Sequence, residues 1–329
     1  MKQHLQQIDV VKGTAIVAVL LLHSLTRDEL ENSYAIYHIW QAVPLFMVVM
    51  GLNLGLSVRG KTQHLQQLYT RKYFTKKAAR IFIPFIIIFL LSIVAGILWE
   101  YFKGEDVLEF SGYTWVGLLP VTGRGNYFIT MLLQSVLLLP VIGYSFSRSP
   151  LLTTVVLVLL ELAFQFWAAQ FSYFDANNYL YDAAFPRYFT AIVYGLWLSQ
   201  LVWHSFRWKH FTVLASLGIV AAGFLYLFGY KDEVATSILR PEWQSQQALT
   251  FGYAALLVWL AIKLLPNYSI FIPIWFLAEL GKASYHIFLV QVLYFGLVEQ
   301  DLPMWLNLAF PIVLGYFFFK YESKLLFGL

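Results

Sequence analysis

Ile8-Asp9-Val10-Val11-Lys12-Gly13 and, further along the same apolar run, Leu21-Leu22-His23-Ser24 carry three ionisable side chains where lipid-facing sequence carries none. The run spans residues 8–25, close to the roughly 20 residues a helix needs to cross the hydrocarbon. Ten residues separate Lys12 from His23. Eleven steps along a helix are about three turns, so both side chains face one side, about 16 Å apart along the axis. Asp9 lies one turn before Lys12 on nearly the same face. Charged groups are costly inside a membrane. This stripe therefore faces a polar interior and marks a functional site.

The rest of the chain repeats the apolar signal. Runs at 36–58, 79–99, 126–146, 151–171, 185–203, 211–228, 248–265, 274–297 and 305–321 bring the count to ten. The chain is 60% hydrophobic and only 12% charged, against about 25% charged in soluble domains. Aromatic residues make up 19%, which suits interfacial belts of Trp and Tyr. The expected fold is all-α: a polytopic membrane protein of about ten transmembrane helices, forming one domain over residues 1–329. No internal repeat or low-complexity stretch interrupts it. The first run carries Asp9 and Lys12 and lacks a small-residue cleavage site, so it does not read as a secretory signal.

Cysteine is absent, which excludes disulfides, thiol nucleophiles and cysteine-ligated metals. The net charge of +4 is not a nucleic-acid signal, because the basic residues sit in loops between apolar runs. With the N-terminus placed inside, 16 of the 22 Lys and Arg residues fall on the inner side and 6 on the outer. That bias supports an even number of spans with both termini cytoplasmic. The inner loop 59–80 is densely basic and holds an amphipathic stretch over 64–73. The outer loop 100–125 is the longest, and its apolar piece 115–121 is too short to span.

These features resemble the acyltransferase-3 family of integral membrane acyltransferases. That family opens with an acidic residue, then Arg or Lys, ten residues and a His; here the positions are Asp9, Lys12 and His23. Val43-Pro44-Leu45-Phe46 with Gly51 is similar to its second helix. Arg71 and Lys76-Lys77-Ala78-Ala79-Arg80-Ile81-Phe82-Ile83-Pro84 resemble its basic entry to the third. Leu280-Gly281-Lys282-Ala283-Ser284-Tyr285-His286-Ile287-Phe288-Leu289-Val290-Gln291 resembles a late helix in which many members carry His at the place of Gln291. The resemblance implies O-acyl transfer, commonly from acetyl-CoA, to a sugar hydroxyl outside the membrane. It also implies an integral protein of a bacterial cytoplasmic (inner) membrane. Acyl-CoA is then a co-substrate; no bound cofactor or metal is expected. The partners are an extracytoplasmic glycan or lipid-linked sugar and membrane lipid.

Each candidate residue has a chemical task in that scheme. His23 is the general base, since imidazole titrates near pH 6.5 and can take a proton from an attacking hydroxyl. Asp9 is grouped with it as a partner that orients Lys12 or caps the helix start. Lys12, Arg71, Lys77 and Arg80 are the expected donor-binding cations for the CoA phosphates. The family's Arg-x-x-Arg pair reads Lys77-x-x-Arg80 here, so a point charge replaces one bidentate fork. Glu161 sits midway along an apolar run, as a site residue or a structural contact. His38 shares the outer side with His23, but no third ligand accompanies them to hold a metal. Tyr127, Ser284 and Gln291 complete the candidate lining, and Gln at 291 leaves no proton-transfer role there.

The same residues have ordinary accounts as well. An interfacial histidine makes a local hydrogen bond, a lysine reaches toward headgroups, and inner loops are basic in any membrane protein. A transporter or export component for a glycan or its precursor would also suit ten spans with intramembrane charge. Against it, the two halves show no matched pair of Gly/Pro-interrupted segments.

Overall fold

The computed structural model describes residues 4–59, 64–204, 206–231, 245–298 and 302–327. Each of the ten apolar runs is a helix. We number them α1 (Gln6–Ser24), α2 (Ala42–Val58), α3 (Ile83–Lys103), α4 (Tyr127–Arg148) and α5 (Pro150–Gln170). The second half holds α6 (Phe189–Leu201), α7 (Trp208–Tyr230), α8 (Phe251–Leu264), α9 (Ile272–Leu297) and α10 (Met304–Phe327). No strand occurs among the described residues. Helix is what a bilayer demands, since it satisfies backbone polar groups within one segment.

Among the described residues, seven helices are long and apolar enough to cross a membrane; these spans contain α1–α5 and α7 and cover α10 from Met304 to Glu322. The other three differ for readable reasons. α6 and α8 are 13 and 14 residues long. α9 has 26 residues but carries Glu279, Lys282, His286 and Gln291. Of the charges that set the expected orientation, Lys2, Lys61 and Arg240 lie outside the described residues.

Two close crossings organise the bundle. α1 packs along α9, and α2 along α6. In the first, Gly13 meets the Leu277 carbonyl and Gly281 meets the Asp9 carbonyl, so a Cβ at either glycine would overlap backbone. In the second, Gly51 and Gly195 make the same approach against Ile192 and Val48. Lipid tails are as apolar as side chains, so such packing, and not burial from water, drives helices together in a membrane. The start of α1 is pinned by polar contacts. Gln6 exchanges hydrogen bonds with the Ser269 backbone at 3.2 and 2.6 Å, and Gln7 Nε2 donates to Asn267 Oδ1 at 2.7 Å.

The basic inner segment folds as two short helices, Leu65–Leu68 and Arg71–Lys77, followed by one π-helical turn, Ala78–Phe82, that leads into α3. Pro84 has no N–H to offer the Arg80 carbonyl, and the Ile83 N–H reaches back five residues to Ala78. Arg80 therefore stands on a π turn ahead of the third helix. Such turns recur at functional sites.

The outer loop neither spans nor lies flat. It makes a 3₁₀ turn, Gly112–Val116, and then tucks Leu118, Leu119 and Val121 into the bundle. Its backbone is satisfied on the way in. Asn126 Oδ1 accepts from Leu119 N at 3.1 Å, and the Pro120 carbonyl accepts from Glu109 N at 2.8 Å.

Candidate active site

A cavity of about 940 Å³ opens between α1, α2, α4, α9 and the basic segment. Its wall includes Lys12 and His23 of α1, and Lys72, Lys76, Lys77 and Arg80 of the basic segment. Tyr127, Ser284 and Tyr285 line it too. Of the three residues of the stripe on α1, Lys12 and His23 reach one space. Helix position orders the wall. Lys12, the basic segment, the end of α2 at Val58 and the interior of α4 around Pro140 form one end. His23, Trp40, Gly125 and Gln246 form the other. Between them Phe46 and Phe128 stand 6.1 Å apart, and Phe128 and Phe288 5.1 Å, as an apolar aromatic waist.

Asp9 does not reach the cavity. Its carboxylate is buried, with Oδ1 2.6 Å from Lys12 Nζ and Oδ2 2.6 Å from His4 Nε2. Of the two parts open to Asp9, orienting Lys12 is the one its contacts describe; the residue makes no cap bond to the helix start.

His23 sits among backbone and aromatic neighbours at the far end. The Phe295 ring meets its imidazole edge-on at 5.9 Å. Gly125, at φ +83°, brings the loop before α4 against it; a Cβ there would lie 3.5 Å from His23 Nε2. Gln291 is not on the cavity wall but holds this loop, donating from Nε2 to the Arg124 carbonyl at 3.0 Å. At the next residue of α9 the backbones touch, where Gly123 meets the Val292 carbonyl.

Other expected residues fall elsewhere. Glu161 lies between α5 and α6, and its Oε2 accepts from Thr190 N at 2.7 Å. Thr190 is the second residue of α6, so the carboxylate satisfies one of the orphan donors of a helix start. That is the structural contact of the two roles open to it. His38 is exposed after the 3₁₀ turn Ala35–Tyr37 and takes no part in the wall. Arg71 opens its short helix, exposed and off the wall, and its neighbours Lys72 and Lys76 line the cavity instead.

Several wall residues had no separate sequence signal. Lys72 read only as inner-side charge, and Lys76 only as part of the basic entry to the third helix. Trp40 lay inside the second apolar run, and Gln246 in a stretch between runs. Tyr73 and Pro140 are also on the wall. A proline inside an apolar helix was the one visible hint among them. Away from the cavity, Arg187 is fully buried, with its guanidinium over the Tyr181 ring at 4.4 Å. His286 pairs with Glu322 to join α9 to α10.

Fold and site together define a polytopic helical membrane protein with a histidine and a cationic cluster sharing one internal cavity. The acyltransferase-3 family, described as an acyltransferase domain, matches residues 5–319, nearly the whole chain; the protein belongs to that family and is a membrane acyltransferase. No curated protein and no solved structure matches the chain.

Proposed function

We propose that the protein transfers an acyl group, acetyl in the first instance, from cytoplasmic acyl-CoA to a hydroxyl of an extracytoplasmic glycan or lipid-linked sugar. One observation carries this reading: His23 shares a single cavity with Lys12, Lys72, Lys76, Lys77 and Arg80. The cations suit the phosphates of CoA. The expected positive-inside orientation puts them on the cytoplasmic face, where soluble acyl-CoA is found. The arm of the donor then runs past the aromatic waist, and the thioester lies near His23.

The chemistry balances with the residues present. The acceptor hydroxyl gives its proton to the imidazole of His23 while its oxygen bonds to the thioester carbonyl carbon. The tetrahedral intermediate collapses, the C–S bond breaks, and the departing CoA sulfur takes the proton from the imidazolium. His23 returns to its neutral form. Such proton transfer contributes about 10²–10⁴-fold in rate. Lys12, held by Asp9, supplies a fixed positive charge to the donor.

The test is transfer of label from isotope-labelled acetyl-CoA to an envelope glycan fraction by the purified protein in lipid. An acyltransferase yields labelled glycan only with donor present. An exporter would move glycan without CoA and leave it unlabelled.

A further inference from the structure

The cationic segment is attached to the bundle at one unusual place. Pro140 lies inside α4 and lines the cavity. Proline has no N–H, so the carbonyl four residues back, that of Val136, loses its helical partner. Tyr73 fills the gap: its hydroxyl donates to Val136 O at 2.7 Å. Tyr69 takes the next carbonyl, that of Leu137, through its own hydroxyl. Tyr73 also carries Lys77, whose Nζ stands 5.7 Å from its ring centre.

We propose that Tyr73 and Pro140 form one docking device, in which the proline opens an acceptor in α4 and the tyrosine uses it to seat the donor-binding segment on the cavity. Tyr73 is a positioning residue; it acts through Lys72, Lys76, Lys77 and Arg80. This rests on the acyl-CoA reading for its consequence, but the docking itself does not. An unpaired carbonyl inside a membrane is costly, so the pairing is specific. Without the proline, a restored N–H at position 140 would compete with Tyr73 for the Val136 carbonyl.

The test compares wild type, Tyr73→Phe, Pro140→Ala and the double variant, full-length in lipid nanodiscs. Two readouts are taken: amide hydrogen exchange over residues 64–77, and KM and kcat for acetyl-CoA. Tyr73→Phe keeps the ring and removes only the hydroxyl. Pro140→Ala returns the missing N–H to α4. Each single variant is expected to speed exchange and raise KM about threefold to tenfold, the effect of one hydrogen bond, with a smaller change in kcat. The double variant should match the single ones, because both remove the same bond. It should also regain thermal stability over Tyr73→Phe, since Val136 is again satisfied. Unchanged exchange in both single variants overturns the docking, as do KM effects that multiply. Faster exchange with unaltered KM overturns the link to the donor. If wild type does not use acetyl-CoA at all, the acyl-CoA reading fails, and exchange alone decides the docking.

Discussion

Asp9 Oδ1 and Lys12 Nζ stand 2.6 Å apart, one helical turn from each other on α1, with the carboxylate buried and the lysine on the cavity wall. The pair converts a flexible lysine into a directed charge. Asp9→Asn keeps the shape and removes the charge that holds the ammonium. KM for acetyl-CoA should rise about tenfold, equivalent to about 1.4 kcal/mol. Lys12→Arg should retain most activity and Lys12→Ala should lose it. Steady-state kinetics on the three variants checks this; an unaltered KM in Asp9→Asn would remove the orienting role.

Glu161 makes the contrasting case. Its Oε2 serves the Thr190 backbone N–H away from the cavity, so its loss should cost stability and spare the kinetics. Glu161→Gln retains a carbonyl acceptor and should be tolerated. Glu161→Ala leaves a buried N–H unsatisfied, at about 1–3 kcal/mol. Thermal unfolding in lipid should show the difference while KM of the surviving enzyme stays near wild type.

Gln291 links α9 to the loop beside His23 through the Arg124 carbonyl. Gln291→Leu releases that loop. Misplacing groups by an ångström near a reacting centre costs up to about 10²-fold, so kcat should fall about tenfold while KM for the donor barely moves. A larger change in KM than in kcat would place Gln291 on the donor side instead.

Five cations on one wall predict a salt effect. Charges exposed to solvent are screened over about 8 Å at physiological ionic strength. KM for acetyl-CoA should rise as salt is raised, and Lys76→Ala combined with Lys77→Ala should flatten that dependence. The check is a titration of KM against sodium chloride for both proteins.

Much of this was legible in the residues alone. Each of the ten apolar runs became a helix, because a bilayer leaves the backbone no other open choice. The Lys12 and His23 face followed from helical geometry and needed no tertiary information. What local pattern cannot hold is partnership between distant segments. Glu161 stayed open between a site residue and a structural contact because its partner, the start of α6, is 29 residues away. Arg71 and Lys72 are equivalent as charges in a basic loop, and both are exposed; only the orientation of the helix Arg71–Lys77 puts Lys72 on the cavity wall and Arg71 off it. Gln291 read as a lost proton carrier, yet its amide holds a loop that contacts the histidine. The piece 115–121 was rightly too short to span, but the burial of Leu119 and Val121 depends on Asn126 satisfying its backbone.

The central claim is that His23 is the base in acyl transfer. The most direct measurement incubates purified wild type and His23→Ala, both in lipid and both checked for equal folding by thermal unfolding, with isotope-labelled acetyl-CoA and envelope glycan. Label in the glycan with wild type, and at least about 10²-fold less with His23→Ala, is the predicted result. Equal label from the two proteins would contradict it and remove His23 from the chemistry.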